Sequence, residues 1–202
     1  MNRTLLVAAP LAMTAYGLTR IIGRLDGHYG PGADWQLAHL FGLAGMLLFI
    51  PIVLGLRPLT RTAGTPVTAI TLAGLATTIV QFAADMILAV AATDRDHLKT
   101  LQHQFTDQPG IQLAFYDIGP MLFFLGIVTL AALTAAAGHL PWWSPALMLI
   151  AVLLPAADLN LMPLTGLLML AALVPLTRAR PTGGQRPGPS PHPSHAATRT
   201  PG

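Results

Sequence analysis

The sequence predicts an all-α fold, a polytopic integral membrane helical bundle of six transmembrane helices, with five as the alternative count. Three observations predict it. Only 9% of residues are charged, against about 25% in a soluble domain. Apolar residues make up 53% of the chain and mean hydropathy is +0.60, more apolar surface than a fold bathed in water can hide. These residues fall in runs near or above the ~20 needed to cross ~30 Å of hydrocarbon at ~1.5 Å per residue.

Taken in order, the first run gives a helix over about 4–22, interrupted by Pro10 and ended by Arg20 and Arg24. Arg3 before an apolar run also fits a signal peptide, but there is no clear small-x-small cleavage site and many spans follow, so a first membrane helix is expected. Further helices are expected over about 36–56, with Trp35 as an interface anchor, and over 66–92 and 111–137. The block from Pro141 to Leu176 is too long for one ordinary span and tight for two. Pro155, Asp158, Asn160 and Pro163 cluster in its middle and read as a turn between helices 142–156 and 160–176. One tilted helix would put Asp158 near the bilayer centre at high cost. Residues 178–202, rich in Pro, Gly, Ser, Thr and His, form no hydrophobic core and read as a disordered tail. His192 and His195 there are at most weak metal ligands.

Basic residues orient the chain. Six spans with both ends inside place Arg3, Arg57, Arg61, Arg178, Arg180, Arg186 and Arg199 inside and Arg20, Arg24, Arg95 and Lys99 outside. Five spans score slightly better, but both schemes leave the C-terminus in the cytoplasm. The expected location is a cytoplasmic (inner) membrane, multi-pass. The preference for Arg over Lys and the wealth of Ala, Gly, Pro and Thr resemble small multi-pass proteins of high-GC bacteria, a compositional likeness that implies no activity.

Composition and motifs exclude several function classes. The +3 formal charge is scattered, not gathered into a nucleic-acid patch. No cysteine is present, so disulfides, thiol catalysis and Cys-ligated metals are out. Gly-x-Ser-x-Gly, His-Glu-x-x-His, Walker A and dinucleotide fingerprints are missing, which argues against serine or zinc proteolysis and nucleotide use.

Ionisable and strongly polar residues inside apolar spans mark function by default. Here they are His39, Gln81, Asp85, Asp117, Asp158 and Asn160, with Tyr116 beside Asp117. Under the six-span scheme all lie towards the outer side, delivered by different parts of the chain. Gln81 and Asp85 are four apart and share a helix face. Pro120 withholds a backbone donor and loosens the ladder near Asp117. The loops add Asp26, His28 and Asp34, then a short surface helix over Asp94 to Gln104 with Leu98 and Leu101 towards the membrane.

The leading expectation is a polar pocket near the outer leaflet that binds a small or lipid-like ligand through His39, Gln81, Asp85, Tyr116, Asp117, Asp158 and Asn160. Its partners would be the lipid bilayer and an apolar small molecule or lipid, with no nucleic acid. No His-x-x-His or Glu-x-x-His spacing recommends a metal, and no cofactor is specified. A second reading is an intramembrane isomerase, cyclase or hydratase, with Asp85 and Asp117 as paired carboxylates and His39 as a further catalytic candidate. A third is a small transporter or an accessory subunit of a homo-oligomer or membrane complex. In the accessory reading the polar groups merely fix helix packing, for example Asp85 bonded to His39. Gly17, Gly42, Gly45, Ala8 and Ala12 are expected to face neighbouring helices, and Leu47 to Ile50 to include lipid-facing positions.

Overall fold

The computed structural model describes residues 2–25 and 30–178. The expected tail beyond Arg178, with His192 and His195, lies outside them, as do Asp26 and His28. All regular structure among the described residues is helical. Six apolar helices run Arg3–Ile22 (α1), Ala33–Leu56 (α2), Gly64–Ala91 (α3), Gly119–Ala136 (α5), Trp143–Ala157 (α6) and Met162–Arg178 (α7). The amphipathic α4 (Arg95–Thr106) sits between α3 and α5. Short 3-10 turns, Arg57–Leu59 and Leu159–Leu161, follow α2 and precede α7, and a π-helical segment, Gln112–Ile118, leads into α5.

Local chemistry sets the ends. Asn2 caps α1 by accepting from the Thr4 N–H (2.9 Å). Asp94 caps α4 by accepting from the backbone N–H groups of His97 (2.8 Å) and Asp96 (3.0 Å). Asp158 accepts from the Asn160 N–H (2.8 Å) at the turn between α6 and α7. The block from Pro141 to Leu176 is thus two helices. They run antiparallel, tied in the core by the Thr165 hydroxyl donating to the Ala151 carbonyl (3.0 Å).

The six apolar helices close a ring in which each packs on its chain neighbours and α7 returns to α1. Successive members are antiparallel: Gly45 lies against Met13, Gly42 against Phe82, Gly74 against Phe123, and Gly17 against Pro163. Gly17, Gly42 and Gly45 therefore sit at crossings, and Ala12 meets Gly45. The core is apolar, with Phe49, Phe123, Met13, Met46, Leu75 and Met169 fully buried. Leu47, Leu11, Ile70, Ile87 and Leu125 face outward and are half or more exposed, or nearly so. A belt of this kind on every helix of the ring needs a lipid solvent. Five spans, Arg3–Ile22, Ala33–Leu59, Gly64–Ala91, Gln112–Ala136 and Leu159–Arg178, are long and apolar enough to cross a membrane, while Trp143–Ala157 is shorter. The chain is a multi-pass membrane protein.

Candidate ligand-binding site

The alternating ring brings the C-terminal ends of α1, α3 and α6 to the same end as the N-terminal ends of α2, α5 and α7. The polar residues of the spans gather there. Asp85 on α3 is buried (7% exposed), and its Oδ1 accepts two bonds, from the Tyr116 hydroxyl (2.9 Å) and from Gln102 Nε2 (3.3 Å). The first partner comes from the π-helical segment and the second from α4, so one carboxylate ties three elements together.

The π-helical segment explains how Tyr116 reaches inward. Pro120 has no N–H to give the Tyr116 carbonyl, so an ordinary α-turn cannot close there. The segment widens into i→i+5 bonding, and π segments often occur at functional sites. Tyr116 is half-buried and turned to Asp85, while Asp117 beside it is exposed and accepts from Gln112 Nε2 (3.0 Å). The expected pair of carboxylates is therefore not assembled: Asp85 meets Tyr116, and Asp117 faces away.

The other candidates divide in the same way. Gln81 is half-buried and lines a half-open cavity one turn from Asp85. His39 is buried, with its Nδ1 2.9 Å from the Trp35 carbonyl. That contact requires a proton on Nδ1 if the carbonyl is to accept it. The ring of His39 stands 5.9 Å from Tyr16 and 5.8 Å from Phe82, centre to centre. It does not bond Asp85, so the expected His39–Asp85 pair gives way to Tyr116 and Gln102. Asp158 and Asn160 are exposed at the α6–α7 turn, where Asn160 Oδ1 accepts from Arg24 Nη1 (3.4 Å). They rim the end of the ring and do not line the cavity. Trp35 is not an exposed interface anchor. It is buried against Ala89 and Leu98, because α4 folds over it.

The cavity measures about 190 Å³ and takes at least one residue from each helix of the ring. Its polar edge is Tyr16, Thr78, Gln81 and Tyr116, and the rest is apolar, with Phe82, Phe124 and Met162 prominent. The Thr78 hydroxyl is already spent on the Gly74 carbonyl (2.8 Å). The hydroxyl of Tyr16 has no bond to a described residue and remains available to a guest. Sequence reading passed over three residues of this region: Tyr16, Gln102 and Arg20. Gln102 had a signal, because it lies four residues after Leu98 on the apolar stripe of α4. Outside the membrane, the backbone N–H of His97, the Thr93 hydroxyl and the Asp96 N–H hold the Asp94 carboxyl below its usual range.

Comparison of the chain with known protein families, characterised proteins and solved structures finds no match.

Proposed function

We propose that this membrane protein binds a small, mainly apolar molecule carrying one hydrogen-bonding group, taken into the half-open cavity between the helices of the ring. The reading rests on Tyr116, which lines the cavity and is held by the buried Asp85. A side chain fixed in this way presents its ring to a guest without losing rotamer freedom on binding. Tyr16 and Gln81 supply groups to orient the guest, and the aromatic and Met walls supply contact area. At about 190 Å³ the space is below the ~300–1,000 Å³ of pockets for drug-sized ligands. It suits a compact molecule or the end of a lipid chain. The arginine distribution supports a bacterial cytoplasmic membrane with the C-terminus inside. With Asp117 outside the cavity, a two-carboxylate enzyme has no support.

The test uses purified protein in detergent, titrated with straight-chain alkanols of increasing length while melting is followed. The melting temperature is expected to rise with each alkanol up to the length the cavity accepts, by linkage to the folded state. Phe124→Trp, which adds volume to the wall, is expected to remove that response while leaving the protein folded. An equal response in Phe124→Trp, or none in the parent, would sink the reading.

A further inference from the structure

The ring buries a guanidinium nitrogen to which no described residue supplies an acceptor. Arg20, near the end of α1, is 8% exposed, and its Nη1 is shut off from solvent with no hydrogen-bond partner among the described residues. It follows Tyr16 by four residues, so the two share the face that α1 turns into the bundle. Tyr16 and His39 both lie within range of its charge. The described carboxylates at this end bond other groups and not Arg20: Asp85 takes Tyr116 and Gln102, and Asp158 takes Asn160. Asp34 packs against Gly23. The ion pair seen among the described residues is the exposed Lys99–Asp96 contact (3.0 Å).

A guanidinium cannot escape by losing its proton. An uncompensated buried ion costs several kcal/mol, and buried donors in native proteins nearly always find acceptors. Among the described residues that acceptor is missing, which leaves the position open to an incoming one. We infer that Arg20 anchors an anion-binding site at this end of the ring, taking a phosphate or carboxylate group, whether carried on a lipid headgroup or free in solution. The planar fork of Arg suits either group, with two parallel bonds to a pair of oxygens. Arg24 adds a second positive charge one turn further on, at the exposed rim, where it also donates to Asn160. The site stands on Arg20 and not on the cavity, so it survives if the cavity proves empty.

The experiment uses the full chain in a maltoside detergent, whose head group is uncharged. Melting is followed during separate titrations with phosphatidylglycerol, inorganic phosphate and acetate. At least one is expected to raise the melting temperature saturably. A response to phosphatidylglycerol alone assigns a lipid headgroup, and one to phosphate or acetate assigns the free anion. Arg20→Gln is expected to abolish the response. Arg20→Lys keeps the charge but not the fork, and its midpoint is expected to be weaker by on the order of tenfold, the loss of one charge-assisted bond. Where Arg20→Gln fails to fold, the Arg20→Lys midpoint decides, and a midpoint equal to the parent's overturns the site. The site is equally overturned if no anion acts on the parent, or if Arg20→Gln responds like the parent. It is overturned too if Asp26→Asn alone lowers stability as far as Arg20→Gln while anions do nothing, since the counter-charge would then belong to the chain.

Discussion

Asp85 shows how a single atom organises the polar end of the ring. Its Oδ1 collects bonds from Tyr116 and Gln102, and the group that replaces it decides the outcome. Asp85→Asn keeps an oxygen there, so it is expected to insert normally and melt close to the parent. Asp85→Leu strands both donors and is expected to melt well below it. Tyr116→Phe removes one donor and is expected to cost about 1 kcal/mol in reversible unfolding. That falls between the ~0.6 averaged by interhelical bonds in a membrane protein and the ~1.5–3 of bonds to charged groups. Asp94 makes a prediction in pH. Its folded pKa is depressed, so the cap is in place above the ordinary carboxylate range, near ~4, and is lost as pH falls through the lower folded value. Amide signals of Asp96 and His97 are expected to shift together in that acidic window, and to be flat there in Asp94→Asn. The rarity of Asp, His and Gln in apolar runs made Asp85, His39 and Gln81 legible from sequence. Arg20 escaped notice because it ends a span, where an arginine ordinarily reaches water.

At the scale of elements, legibility depended on keeping helical phase. The apolar runs and their Pro, Gly and Asp punctuation locate the helices within a few residues. The π-helical segment breaks the phase: one extra residue in a turn rotates the remainder of the helix by ~100°. A regular helix drawn through 111–137 therefore cannot tell whether Tyr116 or Asp117 faces inward, and the structure chooses Tyr116. The site's cover was half legible. The surface helix with Leu98 inward was readable from spacing, but its seat over Trp35 and its Gln102 bond to Asp85 depend on how the chain folds back. The α3–α5 crossing carries the sharpest element-scale prediction. A Cβ on Gly74 would meet backbone atoms of Phe123 and Gly119, which cannot swing aside as a side chain can. Gly74→Ala is expected to push these helices apart and cost about 1–3 kcal/mol, measured by unfolding in mixed micelles. Gly138→Ala, at a turn with open space around the Cβ but φ +84°, is expected to act only through local backbone strain and to leave the crossing intact.

For the whole molecule, the closed ring is the feature that turns scattered polar residues into neighbours. The even number of apolar helices brings α1 and α7 together and places the ends of the described chain, Asn2 and Arg178, at one end of the bundle. The polar cluster lies at the other. Composition sufficed for the membrane setting and the helical class. Ring closure was beyond it, because contacts such as Gly17 with Pro163 join residues from opposite ends of the spans and leave no local pattern. The short α6 has a consequence for the surrounding lipid. Fifteen residues rise only ~22 Å, against ~30 Å of hydrocarbon, while its neighbours, with the π-helical segment and the 3-10 turn that lead into them, run 25 and 20 residues. The outward face of α6 carries Leu149, Ile150 and Leu153, with the exposed Trp142 just before its first turn. Acyl chains beside this face must compress or disorder to keep Trp142 at the headgroups. The protein would then wear an uneven collar of lipid, thinned on one flank.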